Sequence, residues 1–198
     1  VGHVERFNPA FTAVKDKIQS PMFIETHRLA EFNPRGTDVP VVLDLMIHDI
    51  DLMFWLCVGA GVTNFIARGD ALISKETDSV TAYFDLSLDK GNSKSVYMSI
   101  NRSSGKAVRQ LKAYSKRKSL TANTGTHELE MYEFFPQADK EEDKIKTSNW
   151  TLTKADALQE ETNHFVDCVL NNKRPLITAE DGLKAMIWAD KIDKHIRK

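Results

Sequence analysis

The spacing of apolar positions changes period twice along the chain. Residues 9–18 place Phe11, Val14 and Ile18 three to four apart, the spacing of a helix with one buried face. Asn8-Pro9 marks its start, with Asn8 as N-cap and Pro9 at the first helical position, and Ser20-Pro21 stops it. Residues 2–7 read as a short strand and residues 22–32 as a longer, alternating one. Asn33-Pro34-Arg35-Gly36 forms a turn or loop. Residues 41–58 are almost wholly apolar and read as one long buried helix, ended by Gly59-Ala60-Gly61.

From there the period becomes two. Strands are expected over 63–73, over 79–88 with Val80, Ala82, Phe84, Leu86 and Leu88 on one face, and over 94–102 with Val96, Met98 and Ile100 inward. Asp89-Lys90-Gly91-Asn92 is the hairpin turn between the last two, and Ser103-Ser104-Gly105 turns again. Residues 108–114, 119–123 and 127–134 continue the meander, and 150–153 adds a further strand. The charge run 139–146 reads as a solvated loop. Helical spacing returns over 155–170 through Leu158, Glu161, Phe165, Cys168 and Val169. A last helix follows Thr178, where Thr178-Ala179-Glu180-Asp181 resembles a capping box with Asp in place of Glu; Leu183, Met186, Ile187 and Ile192 form its apolar stripe.

The predicted fold class is therefore α+β: one mainly antiparallel, mixed sheet covered by helices on one face, the other face open to water or to a partner. No Pro/Gly/Ser-rich linker divides the chain, so residues 1–198 are expected to form a single domain.

A formal net charge of -1 gives no reason to expect nucleic acid or an anionic membrane as partner. Cys57 and Cys168 lie in apolar surroundings and read as buried free thiols, which suits a reducing, cytoplasmic location. The opening residues lack the apolar core of a signal peptide. A membrane span over 41–58 is disfavoured by the three aspartates and one histidine near its middle. The chain lacks an initiator Met and opens within what reads as a strand, so a fragment is expected.

Those four ionisable groups, Asp44, His48, Asp49 and Asp51, are the chief chemical signal. Burying charges without partners costs several kcal/mol each. On a regular helix Asp44 and His48, four apart, share a face; Asp51 lies on the same stripe and Asp49 points elsewhere. A carboxylate one turn from an imidazole can fix its tautomer and raise its pKa, which suits acid–base work on a hydroxyl or carbonyl. Two other readings stay open. The groups can cap backbone or pair within the core, or Asp, His and Asp can supply part of a metal site, with His48-Asp49 as in HD-type metal-dependent phosphohydrolases. The remaining histidines (His3, His27, His127, His164, His195) fall mostly on predicted strands or chain ends, unlike that all-helical class.

The Asp-x-x-x-His-x-x-Asp pattern at Asp44, His48 and Asp51, before the apolar run 52–56, resembles the signature of the Gfo/Idh/MocA oxidoreductases. Residues 1–9, with Arg6-Phe7-Asn8-Pro9, resemble the segment leaving the last strand of that family's Rossmann domain. Glu161, Phe165, Pro175 and Asp181-Gly182 resemble its closing helices. The resemblance implies the C-terminal, substrate-binding and oligomerisation domain of an NAD(P)-dependent dehydrogenase acting on a sugar, nucleotide sugar or cyclitol, with a leaning to nucleotide-linked amino sugars. It implies His48 as general acid/base, Asp44 as substrate holder, Arg6 and Asn8 as substrate-binding, and Asp51 as structural support. NAD or NADP would be bound mainly by a missing N-terminal Rossmann domain. No Gly-x-Gly-x-x-Gly unit and no Glu-Lys-Pro element occurs here; Gly59-Ala60-Gly61 is the nearest match and reads better as a helix C-cap. The fragment alone is expected to be inactive. A non-catalytic module that assembles through its sheet, and a metal-dependent hydrolase, remain the competing readings.

Overall fold

A computed structural model describes residues 1–88 and 93–197. The expected turn at residues 89–92 lies outside the described residues. A 3₁₀ turn, Val4–Phe7, precedes helix α1, Pro9–Lys17, and strand β1, Phe23–Glu31. A π-helical stretch, Val42–Met46, runs into α2, Ile47–Leu56. Strands β2 (Gly61–Asp70), β3 (Ser79–Ser87), β4 (Ser93–Ser104), β5 (Val108–Ser115), β6 (Lys118–Asn123), β7 (Glu128–Phe134) and β8 (Ile145–Thr151) follow, then α3 (Ala157–Leu170) and α4 (Ala179–Ile196).

The strands form one eight-stranded sheet in the order β2-β3-β4-β1-β5-β6-β7-β8. Every neighbouring pair is antiparallel except β1 with β4. The mixed α+β class expected from the pattern is thus the observed one. Alternation sends Ile24 and Thr26 of β1, Val96, Met98 and Ile100 of β4, Leu111 and Ala113 of β5, and Val80, Ala82, Phe84 and Leu86 of β3 into the core. Phe11, Val14, Met46, Ile50 and Met53 pack over them from the helices. Gly69 of β2 lets the end of α4 close down on the sheet: a Cβ there would come within 2.9 Å of the Ile196 and Thr77 methyls. Among the described residues no helix is long and apolar enough to cross a membrane.

Several expectations need correction. The charge run over 139–146 is not all loop, since it holds a 3₁₀ turn, Glu141–Asp143, and the start of β8. Residues 2–7 are not a strand. The chain turns sharply there because Asn8 already caps α1, accepting the Ala10 amide at 3.0 Å, and because His3, Glu5 and Arg6 are drawn inward to charged partners. The helix over 41–58 is not one regular α-helix. Pro40 starts it, accepting the Leu43 and Asp44 amides, and the next turn widens before α2 begins. The apolar stripe of α4 is inverted except at Ile192, which is buried as expected. Thr178 and Asp181 form the expected capping box, but the helix buries Gly182, Ala185, Ala189 and Ile192. Small residues let it lie close on α2, while Leu183, Met186 and Ile187 face outward. Helix α3 is similar: Cys168 is buried, whereas Leu158, Phe165 and Val169 are exposed.

This inversion predicts a stability contrast. Leu183→Lys and Ile187→Lys are expected to stay within about 0.5 kcal/mol of the parent. Ala189→Leu, which overfills a tight helix contact, should cost about 1–3 kcal/mol. Urea unfolding of the three variants measures the difference.

Candidate functional site

The site is built where the 3₁₀ turn, β1 and the start of α2 meet. Each ionisable group of α2 has its own partner. Asp51 is buried and receives the Arg6 guanidinium through two bonds, from Nε at 2.8 Å and Nη2 at 2.6 Å. Arg6 also donates to the Leu176 carbonyl at 3.3 Å and lies 3.3 Å from Asp181. The turn, α2 and α4 are therefore tied through one guanidinium. Asp49 is buried and accepts Arg28 Nε at 2.5 Å, while Arg28 Nη1 reaches Glu5 at 2.7 Å. Arg28 comes from β1, on the face that carries Ile24 and Thr26.

His48 stands above this ionic floor, half-buried, with its Nδ1 buried and unpartnered among the described residues. The His3 ring meets it edge-on, centroids 6.0 Å apart. Burial, and then the nearby Arg28 cation, pushes the His48 pKa below 6.5 and keeps the ring neutral at pH 7. Burial does the same to His3. For Glu5 burial works the other way, raising its pKa, but the Arg28 guanidinium outweighs it and holds the carboxyl below the usual range.

Asp44 and His48, although four residues apart, do not pair: Asp44 sits in the π-helical turn and His48 in the first turn of α2, and no hydrogen bond between them forms among the described residues. Asp44 instead lies at the rim, its side chain 45 % exposed, with a carboxylate oxygen 4.0 Å from Arg102 Nη1. Arg102 is itself anchored, donating to Asp78 at 2.9 Å and to the Gly36 carbonyl at 2.8 Å. Asp78 is fully buried and accepts the amides of Leu72, Ile73 and Ser74. Burial raises its pKa, but those amides and the Arg102 guanidinium prevail and hold it far below the usual carboxylate range.

Arg6 and Asn8 are placed facing inward. The Arg6 fork is occupied by Asp51, and Asn8 accepts the Ala10 amide while its Nδ2 donates weakly to Glu5 at 3.4 Å and to the Thr124 carbonyl at 3.5 Å. Glu5, Arg28, Asp49, Asp78 and Arg102 were not singled out from sequence. Arg28 had a usable signal, a cation on the inward phase of an alternating strand. Among the described residues no group of three or more His, Cys, Asp or Glu side chains is arranged to hold a metal ion, and the Asp49 carboxylate is taken by Arg28.

The pKa directions predict a two-stage acid response. His3 and His48 bind protons less readily when folded than when unfolded. Their contribution is complete above pH 6.5 and is lost as pH falls below it, because the unfolded chain takes up protons first. Glu5 and Asp78 act later, losing stability only below their ordinary values of 4.5 and 3.8. Chemical unfolding at stepped pH should show an early decline between neutrality and about pH 5 that flattens in His3→Gln/His48→Gln, with the deeper acid loss retained.

No family model matches the chain. The UDP-N-acetylglucosamine 3-dehydrogenase of Acidithiobacillus ferrooxidans is 38% identical over 87 residues, which are 43% of this chain and 28% of that protein. A crystal form of the same dehydrogenase superposes with a TM-score of 0.87 at 24% identity, covering 98% of this chain and 61% of that one. A dehydrogenase (MviM) from Clostridium difficile superposes with 0.73 at 23% identity, covering 97% and 60%. For a putative myo-inositol dehydrogenase from Sinorhizobium meliloti the figures are 0.72, 19%, 100% and 62%. The chain thus spans less than two thirds of the length of each of these relatives. The relatives of this chain are dehydrogenases of Gfo/Idh/MocA type, and its fold is that of their C-terminal domain.

Proposed function

We propose that this chain supplies the substrate side of the active site of an NAD(P)-dependent oxidoreductase acting on a CH–OH group of a sugar, nucleotide sugar or cyclitol. The observation that carries the reading is His48: a half-buried imidazole whose burial favours the uncharged form, next in sequence to the Asp49 that pairs with Arg28 and, through it, with Glu5. A neutral imidazole accepts a hydroxyl proton as the carbon is oxidised and returns it in the reverse direction. Asp44, exposed at the rim, is assigned to holding substrate hydroxyls. Arg6 and Asn8, whose polar atoms are engaged internally, serve in this reading by shaping the wall under the substrate. Asp51 supports that wall through Arg6. The nucleotide-sugar class is favoured by the relative of highest sequence identity described above, which acts on UDP-N-acetylglucosamine.

Nicotinamide accepts or supplies the hydride in such chemistry. The parallel pair among the described residues, β1 and β4, is joined through α2, β2 and β3, not by a strand–Gly-rich turn–helix unit of the kind that holds a dinucleotide. The cofactor is therefore assigned to a separate nucleotide-binding domain. The outward apolar side chains of α3 and α4, among them Phe165, Val169, Leu183 and Ile187, offer that domain a seat. The uncovered sheet face, with Phe23 stacked on Tyr114 and with Tyr83 and Tyr132 exposed, is assigned to pairing with a second copy.

In the full-length protein His48→Ala is expected to lower kcat by about 10²–10⁴-fold with the fold intact; near-normal turnover would exclude the acid–base role. The present chain alone should show no micromolar binding of NAD+, NADH or the NADP forms by calorimetry. Tight binding would place the cofactor site within these residues and overturn the division of labour.

A further inference from the structure

We propose that Arg28 is a positioning residue for His48: clamped between Glu5 and Asp49, it fixes the helical turn that carries the imidazole and keeps a buried cation behind it. The inference rests on the acid–base reading of His48 for its catalytic meaning, but the coupling can be measured without turnover.

Arg28 occupies an expensive position. It lies on β1, between β4 and β5, where its Cα neighbours are Ile100 and Arg109. Its residue is 6 % exposed, and its inward neighbours on the strand are Ile24 and Thr26. A buried arginine with two carboxylates is no better for stability than apolar side chains of similar volume, and is often worse. Stability alone gives no reason to prefer this ionic triad over apolar packing in the same place. What the triad does uniquely is join three elements under one side chain. Glu5 comes from the 3₁₀ turn, Arg28 from the sheet, and Asp49 from α2, one residue beyond His48. The two bonds, at 2.5 and 2.7 Å, leave the first turn of α2 little freedom to rotate.

The charges around His48 act in opposite directions. Arg28 and the His3 ring disfavour an imidazolium, whereas Glu5 and Asp49 favour it. Arg109 of β5 acts on Glu5. Asp44 is turned towards Arg102. This opposition yields a pattern of signs that a merely structural triad would not produce.

The test is an NMR titration of the His48 ring in the present chain, assigned with His48→Gln. The parent should titrate below 6.5. Arg28→Met/Asp49→Asn removes one charge of each sign and leaves Glu5, so the His48 midpoint should rise by about one unit. Glu5→Gln should lower it, and Arg28→Lys, which keeps the cation, should stay low. If the double variant does not fold, Glu5→Gln and Arg28→Lys still decide the matter. A midpoint unmoved in folded Glu5→Gln, or raised in Arg28→Lys, overturns the proposal. In the full-length protein the acidic limb of kcat/KM should move with the NMR midpoint. If the midpoint moves as expected while full-length His48→Ala keeps its turnover, the coupling stands and the acid–base reading falls. If the midpoint stays fixed while that variant is dead, the reverse holds.

Discussion

An acidic helix can enter a protein core only if each carboxylate meets a cation there. The start of α2 carries Asp49 and Asp51, both buried, on a helix that is otherwise apolar. Two arginines meet this requirement from opposite sides: Arg28 rises from the sheet and Arg6 comes down from the 3₁₀ turn. Removing either cation would leave a carboxylate desolvated and unpaired, at a cost of about 3–5 kcal/mol. These two pairings join the 3₁₀ turn and the sheet to α2, and Arg6 reaches on to α4 at Asp181.

A second ionic knot holds the opposite wall of the site. Asp78 ties the 72–74 backbone to Arg102, and Arg102 ties that loop to Gly36 and approaches Asp44. The loops around the imidazole are thus braced by charge, while the sheet beneath them is held by alternating apolar side chains. Shape comes from the apolar pattern, and the placement of the His48 imidazole comes from the buried ions around it.

This division explains what could be read from the sequence. Period-two alternation located the strands, and Asn8-Pro9 and Thr178–Asp181 marked two helix starts, because each signal is local. The inversion of α4 was hidden because large apolar side chains look like core, whereas close helix packing selected Ala185 and Ala189. Asp44 and His48 stood out as charges in an apolar run. That the two do not pair was not legible, since Asp44 is drawn towards Arg102, a residue far away in sequence. Arg28 and Glu5 stayed hidden for the same reason: their meaning depends on a partner more than twenty residues away.

The π turn at Val42–Met46 acts as a phase shifter. Everything before it is rotated relative to everything after it, so the rim carrying Asp44 and the floor carrying Asp49 and Asp51 are geared separately. A one-residue deletion inside that turn would restore α-helical phase. It would swing the rim, with Asp44 and its approach to Arg102, around the helix axis relative to the pairs that Asp49 and Asp51 make. A scaffold built in this way can change what its rim presents by insertion or deletion instead of substitution, while the paired charges on α2 keep their partners.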